Sequence, residues 1–485
     1  MSRIALLLLL FLPLTLSSTD ALAEKAALYE SLKQREDAAW EAAQKIWQWA
    51  EPGYQEVKSS ALLAEMLERE GFKVDRGVAE IPTAFMATFG EGRPVIGIMG
   101  EYDALPGLSQ QAVPVRQPRD DAFYGHACGH HLFGVASAQA AIAIAERIKA
   151  GEIKGTVRFY GCPAEEGGSA KVYLVRAGLF ADCDAALHWH PGSSNSAGDK
   201  SSLARIAVKF RFHGKSAHAA GSPEQGRSAL DAVELTNHAA QLLREHTPEA
   251  TRIHHVITAG GNAPNVVPDF AEVYYYVRHP KAEIVRGIFQ RLVLCAKGAG
   301  IATETRLEVR SEGGTHEIMP NDALSQVTLK NLKELNDLSY TSEETEFATR
   351  IQTTMDKPEP LDKIQRVNNV SGTIGRGSTD VGDVSWVVPT TGFGTACWAP
   401  GTPGHSWQAV ACGGTTIARQ GMNLAAKVLA ATAWDLYHHP EVLSEARSEL
   451  VRRLSDKKYQ SLMEKDQQPA LDYRNPPKTV VGLTE

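Results

Sequence analysis

The sequence predicts an α/β protein: a mostly parallel sheet with helices on both faces, interrupted by a smaller α+β module. Three observations predict it. Short apolar runs alternate with helical stretches between 93 and 191, the order of a parallel sheet. From 204 the hydrophobic period changes to two and the order becomes β-α-β-β-α-β, a ferredoxin-like pattern. The 485 residues also exceed what a single hydrophobic core ordinarily serves, so two domains are expected.

Taken in order, Arg3 precedes the apolar run 4–16, and Ala21-Leu22-Ala23 follows it. A basic start, a short apolar stretch and an A-x-A site describe a secretory leader over 1–23. Pro13 interrupts the run, which is too short to span a bilayer comfortably. The mature protein is therefore expected to be secreted or periplasmic. Residues 24–70 read as helical, with Leu28, Leu32, Trp40, Ile46 and Trp47 at helical intervals. Strands are expected at 93–103, 155–163 and 184–191, around a helix at 131–151 that Gly151 stops.

This first part of the catalytic domain covers 24–200. The inserted module covers 201–314. Strand 204–214 alternates Ile206, Val208, Phe210 and Phe212 against Lys209 and Arg211. A helix at 226–245, strands at 254–260 and 270–279, a helix around 281–298 and a strand at 303–311 complete the module. Residues 315–440 return to the first domain. The segment 441–485 is polar, with a helix expected over 441–465 and a loose end.

Composition excludes some classes. Hydrophobic residues at 43% and charged residues at 22% are ordinary for a soluble protein. A net charge of −7 gives no basic face for nucleic acid. Six dispersed cysteines are not a small disulfide scaffold.

Four clusters carry chemistry. GHACGHH (125–131) offers His126, Cys128, His130 and His131. PAEEGG (163–168) sets Glu165 beside Glu166 after a strand. LHWHPG (187–192) ends a strand with His188 and His190, and PGTPGHSW (400–407) presents His405 in a Gly/Pro loop. A thiolate, imidazoles and a carboxylate suit Zn²⁺ or Mn²⁺-like ions. Two such ions about 3.5–4 Å apart activate a shared water near neutral pH. Of two adjacent glutamates, one can bind metal while the other moves protons, and alternation at a strand end would separate them. Three other readings stay open on residues alone. Cys128 activated by His130 would make a thiol nucleophile. An exported binding protein would need no base. A structural metal site would bring its ligands closer in sequence than 128 to 405.

The segments GEYDALPG (100–107), GHACGHH, PAEEGG, WHPG (189–192), GKSAHAAGSPEQGRSALDA (214–232), NVVPD (265–269) and PGHSW (403–407) stand in this order. Together they resemble the aminoacylase and carboxypeptidase type of metallohydrolase, in the amidohydrolase branch that includes auxin-conjugate and hippurate hydrolases. The resemblance covers nearly the whole mature chain. It implies hydrolysis of an N-acyl amino acid or short peptide with two divalent ions, Zn²⁺ or Mn²⁺. It implies Cys128, His130, Glu166, His190 and His405 as ligands, with the Cys128 thiolate between the ions, and Glu165 as general base and acid. His190 is preferred to His188 by register, and Asp103 is expected to orient a ligand. The inserted module is expected to be a lid that also forms a homodimer contact. There His218 would cross into the partner's site, and Asn265 and Arg278 would bind substrate. One departure stands out: His131 occupies a position that is usually Asp or Asn, which leaves open whether it competes as a ligand.

Overall fold

The computed structural model describes residues 24–474, so the expected leader at 1–23 lies outside the described residues. Helices α1 (Ala26–Gln34), α2 (Glu36–Trp49) and α3 (Val57–Arg69) come first. Expected as one helical stretch, they break at Arg35 between α1 and α2, and between α2 and α3 where the backbone turns left-handed at Ala50 (φ 44°) just before Pro52. Strands β1 (Lys73–Arg76), β2 (Phe85–Glu91) and β3 (Val95–Glu101) follow, then the short pair β4 (Leu105–Pro106) and β5 (Tyr124–Gly125). Next come α4 (His130–Lys149), β6 (Gly155–Cys162), α5 (Ala170–Arg176), β7 (Ala185–Gly192) and β8 (Asn195–Ala197). The inserted part runs β9 (Ala204–His213), α6 (Ala229–Arg244), β10 (Arg252–Ala259), β11 (Phe270–His279), α7 (Ala282–Ala302) and β12 (Arg306–Thr315). The chain then returns through α8 (Asp322–Leu335), α9 (Ser342–Gln352), β13 (Val367–Asn369), α10 (Val381–Ser385), β14 (Thr390–Ala396), α11 (Trp407–Gly413), α12 (Thr416–His438) and α13 (Pro440–Leu454).

The main sheet has the order β1-β2-β6-β3-β7-β14-β8-β13. Its centre is parallel, through the pairs β6–β3, β3–β7 and β7–β14, whereas β1–β2, β2–β6 and β14–β8 are antiparallel. Strand β3 shows why the centre is buried on both faces. Ile96 and Ile98 enter the core beneath α4 and α12, and Val95 and Met99 enter the opposite core beside α5 and α10. A central parallel strand reads as a continuous apolar run for this reason. Helix α4 is buried from His130 to Ala145, and its alanines let it pack closely against β3 and α12.

The second sheet, β10-β11-β9-β12, is antiparallel and carries its own core. The inward residues Ile206, Val208, Phe210 and Phe212 meet Ala232 and Val233 of α6 and Val285, Ile288 and Leu292 of α7. Among the described residues, no helix is long and apolar enough to cross a membrane.

The C-terminal segment differs from expectation. The helix stops at Leu454 rather than 465, and 455–474 is not loose. It crosses the inserted module and returns to the main domain. Gln460 O accepts from His316 Nε2 at 2.9 Å and from Arg286 at 3.2 Å, Gln467 Nε2 donates to Ser311 O, and Leu471 O accepts from Gln55 at 2.8 Å. These bonds run through irregular backbone, which has no hydrophobic period to betray it in sequence.

Candidate active site

The site forms where the carboxyl ends of β3, β6 and β7 meet the start of α4, as open α/β sheets favour. Gly129 makes that start possible. Its φ is +75°, and a Cβ there would lie 2.7 Å from Pro191 Cβ. This close approach brings Cys128 and His130 against the end of β7. Cys128 Sγ is 3.3 Å from His190 Nε2. His190 Nδ1 donates to Pro191 O at 2.7 Å, and His130 Nδ1 donates to Asp103 Oδ1 at 2.8 Å. Each ring thus has Nδ1 fixed and Nε2 turned toward Cys128 or Glu101, the arrangement that orients a metal-binding imidazole.

Glu165 and Glu166 lie in a turn beyond β6, not on the strand. Strand alternation therefore does not separate them. Left-handed Ala164 (φ 53°) opens that turn, and buried Glu56 holds it by accepting from Ala164 N at 2.8 Å. Asp103 Oδ2 accepts from Glu166 N at 2.9 Å. His405, itself left-handed at φ 55°, places Nε2 3.1 Å from Glu166 Oε1.

Three groups of donor atoms lie within 4.8 Å of one another: Cys128, His130 and His190; Cys128, Glu166 and His405; and Glu101, His130 and Glu165. The first two share Cys128. His130 Nε2, Glu101 Oε2 and Glu166 Oε1 are buried without a hydrogen-bond partner. Yet His130 Nε2 is 3.1 Å from Glu101 Oε2, and Glu166 Oε1 is equally close to His405 Nε2. A thiol, imidazoles and carboxylates packed this closely and buried together fit divalent cations. Lys171 Nζ already compensates Glu101, at 2.6 Å, and reaches Asp380 at 2.6 Å. The third group therefore needs a cation least.

Electrostatics agree. Burial, then Glu166, pushes the Cys128 thiol well above its ordinary value. A coordinated cation reverses that, because a ligating thiol is deprotonated. Burial alone would raise Glu166, but His405 and His130 hold it at about 2. Burial, followed by Glu101, Glu166 and Asp380, drives Glu165 well above the carboxylate range. Burial and His130 bring His190 down to about 4, leaving a neutral imidazole.

The other sequence candidates are placed as follows. His131 turns away. Its Nε2 donates to Gly413 O at 3.0 Å, and burial holds it neutral, at about 3. It belongs to none of the three donor groups. His131→Phe is expected to keep full metal content while losing about 1–3 kcal/mol of stability, because the Gly413 carbonyl loses its partner. Metal analysis beside thermal unfolding checks both halves. His188 lines the cavity with its ring against Gly392, outside the donor groups. Arg278 also lines the cavity. His218 and Asn265 do not. They sit together on an exposed loop of the inserted module, where Asn265 O accepts from Ala219 N at 3.0 Å and His218 Nδ1 accepts from Gly221 N at 3.0 Å. Cys162 is buried and reduced, with Sγ donating to Tyr160 O.

Sequence reasoning missed Glu101, Lys171, Asp380, Glu56 and Arg474. Glu101 was within reach, as the residue ending an apolar strand beside Asp103. Arg474 donates to Glu166 O at 2.8 Å from the far end of the described chain. The cavity is about 720 Å³, walled on one side by Cys128, Glu165, Glu166 and His190 and on the other by residues of the inserted module.

A family model described as a peptidase dimerisation domain matches residues 204–302, within the inserted module. A p-aminobenzoyl-glutamate hydrolase polypeptide of Escherichia coli (strain K12) is 42% identical over 439 residues, spanning 84% of this chain and 90% of that protein. The human Xaa-Arg dipeptidase is 28% identical and spans 86% and 90%. A solved structure of a dinuclear metal-binding peptidase of the M20 family from Bacillus subtilis shares the fold, with a TM-score of 0.56 at 18% identity over 84% of this chain and 99% of that one. The chain belongs to the M20 peptidase family and is one of its amide-hydrolysing enzymes.

Proposed function

We propose that this enzyme is an exported homodimeric amidohydrolase that cleaves an N-acyl or N-aroyl amino acid, such as p-aminobenzoyl-glutamate, to a carboxylic acid and a free amino acid. The observation that carries this reading is Cys128 shared between two metal-competent groups, with Glu165 beside them on the cavity wall. Cys128, His130 and His190 would hold one ion, and Cys128, Glu166 and His405 the other, with Zn²⁺ or Mn²⁺ suited to this mixed set. When bound, such ions supply Lewis acidity toward the carbonyl and the attacking water.

The chain's own groups do the rest. Asp103 fixes the His130 ring, and Lys171 holds Glu101 beneath it. Glu165 takes the proton of the attacking water and returns it to the leaving nitrogen. Arg278 binds the substrate carboxylate through its planar fork. His218 and Asn265, remote from this cavity, would act from the partner subunit, His218 on the developing oxyanion. The dimerisation-domain match supports that assignment. Export rests on the leader read at 1–23.

The test is to incubate metal-loaded protein with acyl- and aroyl-amino acids and dipeptides, including p-aminobenzoyl-glutamate, and to assay free amine. Amine release that EDTA abolishes and Zn²⁺ or Mn²⁺ restores supports the reading. No release from any member, or release indifferent to chelation as a thiol enzyme would show, overturns it.

A further inference from the structure

Among the described residues, the cavity that the metal-competent groups line also carries three guanidinium groups with no carboxylate partner. Arg205 at the start of β9 and Arg278 near the end of β11 stand directly opposite each other in the antiparallel register. Both lie against the Tyr276 ring, with Cζ 4.9 and 5.3 Å from its centroid. Like charges placed directly opposite each other repel, and ordinary sheets avoid them. Arg474, at the end of the C-terminal segment, lines the same cavity over the Tyr473 ring.

Among the described residues, none of the three makes an ion pair. Their side-chain bonds are to Ser169 Oγ from Arg205, Ser378 Oγ from Arg278 and Glu166 O from Arg474, each a neutral acceptor. The Nε of each is buried without a partner, and Arg205 as a whole is only 8% exposed. Burying positive charge without an anion is costly, so an arrangement like this one is kept for an anion that arrives. One carboxylate fills one bidentate fork. Three forks facing one cavity exceed what the single α-carboxylate held by Arg278 requires.

The geometry points to Arg205 and Arg474 as specificity residues for a second carboxylate, borne by the side chain of the leaving amino acid. This rests on the proposed function and narrows it: the amine product is an acidic amino acid. The site chemistry favours the amine side over the acyl side. Arg205 and Arg278 share one ring, so a carboxylate at Arg205 lies next to the one at Arg278. Glu165 lines the same cavity as both arginines, outside ion-pairing distance of either. A substrate anchored there therefore presents its leaving nitrogen toward the proposed proton carrier. It also gives the C-terminal segment a role: it brings Arg474 to the specificity pocket.

The test compares N-(4-aminobenzoyl)glutamate with N-(4-aminobenzoyl)glutamine, which matches it in shape but lacks the second charge. The metal-loaded enzyme should favour the glutamate compound by about tenfold or more in kcat/KM, the worth of one charge-assisted pair. Arg474→Gln should bring that ratio toward unity by raising KM for the glutamate compound, with metal content unchanged. Arg474→Lys should recover part of it. A wild-type ratio near unity, or an Arg474→Gln ratio equal to wild type, overturns the inference while leaving amide hydrolysis standing. Cleavage of neither compound counts against the proposed function instead. Calorimetric binding of free L-glutamate against L-glutamine then judges the pocket without turnover. Preferential glutamate binding that Arg474→Gln removes sustains the inference, and equal binding ends it.

Discussion

Glu165→Gln is expected to lower kcat by about 10²–10⁴-fold, the usual contribution of a positioned proton carrier, while the protein retains its metal. That corresponds to about 3–5 kcal/mol of barrier. The substitution keeps shape and removes only the ability to accept a proton. Its environment explains why this glutamate rather than its neighbour is sensitive. Glu166 is held at about 2 by His405 and His130 and stays an anion committed to ligation. Burial and the surrounding acids raise the proton affinity of Glu165, which suits a group that must hold a proton between two steps. Because Glu165 faces the cavity, KM should change far less than kcat. A Glu165→Gln enzyme with wild-type turnover would show that another group carries the proton.

The second large effect is on metal. Cys128→Ala removes the one donor common to the two groups proposed to hold ions, so both ions should be lost. Apparent affinity should fall on the order of 100-fold or more, beyond the tenfold to hundredfold typical of supporting residues. His405→Ala removes a donor from one group only and should cost one ion. Elemental analysis of the two variants after identical dialysis separates the cases. Equal loss in both, or two ions retained in Cys128→Ala, would mean that the thiol does not lie between them.

Much of this site was legible because its donors sit in short motifs at strand ends and glycine turns, where residue type and position carry the chemistry together. The order of the inserted sheet and three central strands of the main sheet were legible for a related reason: hydrophobic period is a property of neighbouring residues, whereas β1, β2, β8, β13 and β14 were not placed from sequence. What stayed hidden depends on long-range contact. Lys171 falls in AKVYLVR, which reads as an ordinary amphipathic turn with its lysine in water. Only the fold shows it fully buried between Glu101 and Asp380. Asp380 and Glu56 are single acids in unremarkable loops whose partners lie 209 and 108 positions away. The separation of Glu165 from Glu166 was expected from strand alternation. Both instead lie in a turn beyond the strand, opened by left-handed Ala164, and no period announces that.

The path of residues 455–474 bears on how this molecule reaches its native state. Its bonds join residues 416, 308 and 291 positions apart. Loop-closure entropy must be spent before such contacts return anything, so they form after the local hairpins and helix pairs. The segment that brings Arg474 to the cavity is thus tied down only by contacts of high sequence separation. In refolding, recovery of secondary structure is expected to precede recovery of activity, and activity regained in step with secondary structure would show that the segment docks early.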